Sequence, residues 1–440
     1  MLNYSLENID RQVSFFNSIK EDYLYNFSWT LNKPLIGPHM LQLILTTKCN
    51  LQCKMCGVWA ANEEESQTYY IKKIIDDTYK MGNLQEVYFT GGEVLLRPDI
   101  FRLVKYVKDY YPHIRTHLNT NGLLLTRRTV DKIIDSGLDT LGISVDSPVA
   151  QIHNSLRGEN VLEKIVEAID YINAQKKQRG RKYPLLDTCS ILMDQTLDTM
   201  YDMIGFCVKY GFAGIHIQPY VCNSDLRGAR EDKFWIREER LPVLRNVLER
   251  IESQKGKFPL HIEIPCDKIY KYFSEPIYVD KCYAGFTRAL VVGRKINFVC
   301  NGPNNEKYQH FGMTDEDAID TVWFSEKADL FRDTIKSCRK NCVQFCSIRP
   351  SSDSVIDIHQ RLAGHNNLFL ILRELEFLRG YLNKYPGLPV KNLIESDLRL
   401  IKENSAILGN LADAFSPGNY PDSEAIKYLS ADMELVKNLA

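Results

Sequence analysis

From residue 41 to residue 220 the chain repeats one local theme: a short β-type run, a turn, then a helical pattern. The runs are LQLILTT (41–47), EVYFT (86–90), IRTHLN (114–119), DTLGISVD (139–146), LLDTCSILM (185–193) and GIHIQPY (214–220). Helical periodicity fills the stretches between them, as in YIKKIIDDTYKMG, RPDIFRLVKYVKDYY, RRTVDKIIDSG and LDTMYDMIGFCVKYG, and Gly82, Gly137 and Gly211 stand where a helix would stop. Such alternation implies βαβ units and a parallel sheet. Six units predict an α/β fold, a partial (βα)6 barrel of TIM type rather than a closed eight-fold one.

The alternation inside the strands says what the barrel encloses. In GIHIQP, Ile215, Ile217 and Pro219 share one face and His216 and Gln218 the other. Leu141, Ile143 and Val145 oppose Gly142, Ser144 and Asp146; Val87 and Phe89 oppose Glu86, Tyr88 and Thr90. Strands covered by helices are apolar outside. A polar inner face therefore predicts a lumen that holds a polar ligand, at the C-terminal strand ends.

The cysteines sharpen this. Of twelve, Cys49, Cys53 and Cys56 form one tight group just past the first strand, and Cys282, Cys300, Cys338, Cys342 and Cys346 form a second far downstream. Cys189, Cys207, Cys222 and Cys266 stand alone, as small buried hydrophobes do. No stretch reaches the roughly 18–20 apolar residues of a membrane span, and the N-terminal segment carries no secretory h-region. A cytoplasmic, non-membrane protein is expected, in which clustered thiols bind metal or do redox chemistry. With 55 basic against 56 acidic side chains, no nucleic-acid-binding excess of positive charge exists.

TTKCNLQCKMCGVW spaces its thiols as C-x3-C-x2-C, with no neighbouring histidine to complete the four-ligand set of a structural zinc site. Three thiolates on a cubane iron–sulfur cluster leave one iron open. This spacing after the first strand resembles the radical S-adenosylmethionine (radical SAM) superfamily, and further elements match in order over roughly residues 40–220. YFTGGE (88–93) looks like the family's GGE motif, and implies cofactor contact at Gly91, Gly92 and Glu93. HLNTNG (117–122) resembles the asparagine-rich end of the third strand, with Asn119. ISVDS (143–147) resembles the segment whose Ser144 and Asp146 approach the cofactor. HNSLRG (153–158) is similar to the element whose arginine, here Arg157, pairs with the methionyl carboxylate. The chain departs from many members at Met55, where an aromatic residue commonly precedes the third cysteine. Alone, each element is an ordinary turn or loop; their order carries the weight. The resemblance implies a 4Fe–4S cluster on Cys49, Cys53 and Cys56, S-adenosylmethionine on its open iron, and an electron donor of flavodoxin or ferredoxin type.

Downstream, FTRALVV and INFVC read as a hairpin turned at Gly293–Arg294 and bracketed by Cys282 and Cys300, followed by a helix that delivers Cys338. The order of cysteine, hairpin, cysteine, helix and cysteine cluster resembles the twitch or SPASM-type extension. It implies one auxiliary 4Fe–4S cluster on four of the five thiols, with zinc the alternative. The expected organisation is an N-terminal helical extension (1–38), the barrel (39–230), a linker and twitch-like domain (231–350) and a helical C-terminal extension (351–440). Gln218 and His216 are candidate cofactor or substrate contacts in the lumen. Cys222, just past the sixth strand, is a candidate hydrogen donor, weighed against an inert loop cysteine. The remaining histidines show no metal-ligand spacing.

The expectation is thus a radical SAM enzyme that cleaves S-adenosylmethionine to a 5′-deoxyadenosyl radical and oxidises or crosslinks a peptide. Dehydrogenation or epimerisation of a small sugar or aminocyclitol is the alternative. A non-catalytic iron–sulfur electron carrier is the competing class, disfavoured by the ordered GGE, ISVD and RG elements.

Overall fold

The computed structural model describes residues 6–221, 232–275, 281–298, 310–338, 355–363 and 368–403. The chain divides into two compact units: residues 37–347, and a helical unit made of residues 1–36 together with 348–440. No helix of the described residues is long and apolar enough to cross a membrane.

The larger unit is built on one open sheet. Six strands, β1 (Met40–Ile44), β2 (Glu86–Thr90), β3 (Arg115–Thr120), β4 (Thr140–Ser144), β5 (Leu185–Leu192) and β6 (Gly214–Pro219), pair parallel in sequence order. The crossovers are helical: α2 (Thr68–Lys80), α3 (Ile100–Tyr110), α4 (Arg127–Ser136), α5 (Ala150–Arg157), α6 (Val161–Gln178) and α7 (Met203–Lys209), where α1 is the N-terminal helix Leu6–Leu31 of the other unit. Helix ends follow local chemistry. Thr126 caps α4 by accepting a hydrogen bond from the Thr129 amide, and Gly137 closes it at φ 78°, a conformation that costs glycine little.

The strand faces separate as expected. Leu41, Leu43, Val87, Phe89, Leu118, Leu141, Ile143, Ile215 and Ile217 are buried in one apolar cluster with Ile71, Ile74, Leu103, Val104, Val130, Ile165 and Ile169 from the helices. Burying each such side chain contributes about 1.5–3 kcal/mol before the chain-entropy cost. The opposite face carries half-buried Gln42, Tyr88, His117, Asn119, Cys189, His216 and Gln218.

The segment after residue 232 belongs to the same sheet. Past α8 (Leu241–Glu252), β7 (His261–Glu263) pairs parallel with β6, and α9 (Cys266–Ser274) follows. The expected hairpin forms as β8 (Arg288–Val292) and β9 (Lys295–Phe298), and β8 pairs parallel with β1. The two-residue β10 (Gly312–Met313) lies against β9, giving a ten-stranded sheet that does not close. The physical reason is edge pairing: β1 would otherwise expose a row of unpaired amides and carbonyls. Gly293 turns the hairpin at φ 57°, where a Cβ would also drive into the Glu64 carbonyl oxygen. Among the described residues, α10 (Ile319–Trp323) and α11 (Glu326–Lys336) follow, and Arg332 of α11 is fully buried, donating to the carbonyls of Gly285 and Trp323.

The helical unit contains α1, α12 (Val355–Ala363), α13 (Leu368–Lys384) and α14 (Lys391–Glu403). Ile19, Tyr23 and Phe27 of α1 share a buried cluster with Ile358, Leu362, Leu370, Ile371, Leu375, Leu378 and Ile394. Described residues from before the larger unit and from after it thus share one core.

Candidate active site

The loop that leaves β1 carries the three thiols at graded depth: Cys53 is buried, Cys49 half-buried and Cys56 exposed. The Leu51 amide and the Asn121 side chain both donate to Cys49 Sγ, at 3.4 and 3.7 Å. Burial raises the pKa of Cys49 and of Cys53; the neighbouring Leu51 amide opposes the shift at Cys49, and the Arg157 guanidinium opposes it at Cys53. Without a cation these thiols stay protonated. A bound metal would hold them as thiolates. Three sulfur ligands in one short loop, with no histidine beside them, suit an iron–sulfur cluster with one open iron, so the donor set fits the group that the resemblance implies.

The GGE element shapes this loop. The Gly92 amide donates to the Thr46 carbonyl and the Glu93 amide to the Lys48 carbonyl, both at 2.8 Å. A Cβ on Gly91 would strike the Thr46 carbonyl oxygen, and one on Gly92 would come within 2.6 Å of the Thr47 carbonyl oxygen. The close approach that needs glycine is therefore to the backbone of the cysteine loop. The Glu93 carboxylate is fully buried and accepts from the Leu95 amide (3.0 Å), Thr120 Oγ1 (2.9 Å) and the Asn121 amide (2.8 Å). It clamps the end of β3, and with it Asn121, against the loop.

Asp146 and Arg157 form a bidentate pair, Nε–Oδ2 at 2.6 Å and Nη2–Oδ1 at 3.1 Å, with Asp146 fully buried. The Ile191 amide donates to Asp146 Oδ1 at 3.0 Å, so β5 joins the same network. Arg157 is thereby fixed on the helix whose Leu156 carbonyl accepts from the Lys54 amide, next to Cys53 in the thiol loop. His153 sits beside it, buried, with Nδ1 accepting from the Asp146 amide; burial pushes it down to about 4, and it is neutral near pH 7.

On the inner face, His117 stacks on Tyr88 at 4.4 Å and contacts Asn119 through Nε2–Oδ1 at 2.9 Å, while Asn119 also hydrogen-bonds the Tyr88 hydroxyl. Burial drives His117 down to about 4. His216 pairs with Glu263 of β7 at 2.9 Å. Asp187 Oδ1 is buried and accepts no hydrogen bond, and burial holds that carboxyl above its ordinary range.

Of the residues singled out from sequence, the described structure links Cys49 to Glu93 through Asn121, and ties the loop at Lys54, beside Cys53, to Leu156, beside Arg157. Ser144 and Gln218 are half-buried on the inner faces of β4 and β6. Cys282, just before β8, and Cys338, just past α11, are half-buried. Cys222, Cys300, Cys342 and Cys346 lie outside the described residues. Sequence reading passed over Asn121, although it stands in the quoted NTNG, and Arg97. Arg97 is buried, bidentate to Asp99 at 2.9 and 2.7 Å, and donates to the carbonyls of Leu45 and Ser66, bracing the start of the cysteine loop. A charged pair inside the apolar run VLLRPDIF was its only signal.

Residues 43–207 match the family described as the radical SAM superfamily. An AdoMet-dependent heme synthase of Oleidesulfovibrio alaskensis is 30% identical over 177 residues, 39% of this chain and 43% of that one. A GTP 3′,8-cyclase of Aliarcobacter butzleri is 30% identical over 233 residues, covering 50% and 68%. The chain thus spans less than half the length of the first relative and about two thirds of the second. Among solved structures, Streptococcus suis SuiB bound to precursor peptide SuiA aligns with a TM-score of 0.53 at 15% identity, covering 77% of this chain and 73% of that one. Native anSMEcpe with bound AdoMet and Cp18Cys peptide aligns with a TM-score of 0.52 at 13% identity, covering 68% and 84%. The ordered strand-end motifs, the open parallel sheet that carries them and this sequence kinship agree: the chain belongs to the radical SAM superfamily.

Proposed function

We propose that this enzyme abstracts a hydrogen atom from a peptide substrate and thereby oxidises or crosslinks it. Cys49, Cys53 and Cys56 would hold a 4Fe–4S cluster, which with S-adenosylmethionine and one electron from a donor would supply methionine and the 5′-deoxyadenosyl radical that takes the hydrogen. The chain's own residues hold and shield that chemistry. Gly91, Gly92 and Glu93 fix the loop that bears the thiols, and Asp146 keeps Arg157 oriented beside Cys53 for a carboxylate ligand. Asn119, Ser144 and Gln218 supply polar contacts on the inner face. Met55, packed with Leu156, Met193, Phe234 and Tyr220, offers an apolar patch next to the third cysteine.

The observation that carries the reading is the buried Asp146–Arg157 pair on the helix whose Leu156 carbonyl accepts from the Lys54 amide of the thiol loop, an arrangement that an electron carrier has no need of. The peptide assignment draws support from the fold shared with SuiB and anSMEcpe, whose structures hold peptides. Cys282, Cys300, Cys338, Cys342 and Cys346 are the proposed source of four ligands to one auxiliary 4Fe–4S cluster, and a flavodoxin- or ferredoxin-type protein is the proposed electron donor. A second reading, a small polar metabolite as substrate, is favoured by the unpartnered Asp187 oxygen in the lumen and by relatives named for heme synthesis and GTP cyclisation. Under it Cys222 would be a hydrogen donor only if the reaction is an epimerisation.

Anaerobic reconstitution with iron, sulfide and reductant tests the class: S-adenosylmethionine should yield 5′-deoxyadenosine. No product from a chain carrying its full iron would overturn it. Host peptide and small-metabolite fractions, supplied separately, should differ in how far they raise deoxyadenosine release. A rise with small metabolites alone would overturn the peptide reading.

A further inference from the structure

Four helices of the helical unit each place one polar residue at a position their apolar spacing assigns to the core. On α13, Glu374 stands one turn from both Leu370 and Leu378, which are buried. On α14, Asp397 stands one turn from buried Leu393, and on α12 His359 lies between buried Ile358 and Leu362. Tyr23 of α1 is one turn from buried Ile19 and Phe27. Apolar side chains would serve packing at all four places. Instead Glu374 and Asp397 are fully buried and His359 nearly so.

The polar atoms converge. His359 Nδ1 lies 3.0 Å from Glu374 Oε2 and 3.6 Å from Asp397 Oδ1, and one donor atom from each of the three lies within 4.8 Å of the others. A divalent ion bonded at about 2.0–2.2 Å with angles near 90–110° sets its ligand atoms about 3.0–3.5 Å apart, close to the first two of these spacings. The Tyr23 hydroxyl donates to Glu374 Oε1, which leaves Oε2 for an ion and gives the carboxylate the outer hydrogen bond that metal ligands usually have. A second observation points the same way. Both oxygens of the fully buried Asp397 accept no hydrogen bond. The charged groups that act on Asp397 are Glu374 and His359, with no lysine or arginine among them within the described residues. The His359–Glu374 contact occupies one carboxylate; both oxygens of Asp397 face the same point and are left for a cation.

We infer that His359, Glu374 and Asp397 form a binding site for one divalent first-row metal ion, with Tyr23 positioning Glu374. Two carboxylate oxygens and one imidazole nitrogen, without sulfur, suit Mn²⁺, Fe²⁺ or Zn²⁺ and disfavour Cu(I). An ion there joins three helices of one body, so uptake should also stabilise that body. The site is independent of the thiol clusters and of the proposed radical chemistry.

The test uses the full chain with its iron–sulfur clusters reconstituted, so that the thiols are occupied. Mn²⁺ followed by electron paramagnetic resonance, and Zn²⁺ by equilibrium dialysis, should each titrate to one ion per chain with a rise in melting temperature. Asp397→Asn and His359→Leu should lose that stoichiometric uptake and the metal-dependent rise. Tyr23→Phe keeps all three ligands and should weaken uptake roughly 10–100-fold; it also decides the matter should the ligand variants fail to fold. Absence of saturable uptake of both ions overturns the site. So does uptake that folded Asp397→Asn, or Tyr23→Phe, leaves unchanged.

Discussion

The cysteine loop and the core of the helical unit bring metal-type donors together in opposite ways. In the loop, Cys49, Cys53 and Cys56 come from one short segment, and distant residues only brace it: Arg97 through the Leu45 carbonyl, Glu93 and Asn121 beside Cys49, and Leu156 through the Lys54 amide. In the helical unit, His359, Glu374 and Asp397 come from three helices and meet only because those helices pack. A local donor set survives changes in its surroundings. A set assembled by packing is only as well placed as the core around it.

The largest effect should follow from removing a local ligand. Cys53→Ala is expected to abolish 5′-deoxyadenosine formation and lower bound iron, while shifting folding stability by only about 1 kcal/mol or less. Iron content and a denaturant curve on the same sample check both halves. Loss of global stability comparable to a core truncation would show that the loop is not local in this sense.

Next come substitutions that attack the surroundings. Phe27→Ala removes a fully buried ring packed on Phe377 and Tyr381, and should cost the helical unit about 3–5 kcal/mol without lowering S-adenosylmethionine cleavage. Arg157→Met leaves Asp146 buried and unpaired, and should cost the barrel unit about 3–5 kcal/mol. Differential scanning calorimetry, with two resolvable transitions, would assign each loss to its unit. The same transition moving in both variants would break the comparison.

Gly92→Ala should be milder, about 1–3 kcal/mol, because the loop backbone must shift to admit the methyl group. Reconstitution should then yield less cluster per chain, which iron analysis reads directly.

The smallest effect is a pH dependence. Burial alone would raise the pKa of Asp99, but its hydrogen bonds from Arg97 and Thr68 and the Arg97 charge win and lower it. A carboxyl whose folded pKa is depressed adds stability above its unfolded pKa, near 3.9, and that stability is lost as pH falls through the folded value. Asp99→Asn should therefore be less stable than wild type at pH 6 and show a flatter acid limb below about pH 4. Parallel curves would mean that the Arg97 brace does not depend on this charge.

Much of the barrel could be read directly. Period-two alternation in GIHIQP and LGISVD separated helix-facing from lumen-facing residues, and Gly137 ended α4 where expected, because these features depend on near neighbours. The hairpin at Gly293 was equally legible, but its place beside β1 was not. Parallel pairing of β8 with β1 joins segments far apart in sequence, and nothing local records it. The same holds inside the motifs. GGE was visible as a motif, yet only the folded chain reveals that its glycines meet the backbone of Thr46 and Thr47 and that Glu93 clamps Asn121.

The sequence by itself determined the βα rhythm, the polar lumen and the three-thiol loop, and with them the radical SAM class. Each is written within a few turns or strands of chain, at the range over which backbone periodicity and ligand spacing operate. Tertiary structure alone decided that α1 packs with α12, α13 and α14 in one core, and that β8 extends the sheet past β1. It also decided that a histidine without local ligand spacing faces Glu374 and Asp397. Those outcomes depend on which apolar faces bury one another, a property of the whole packed chain.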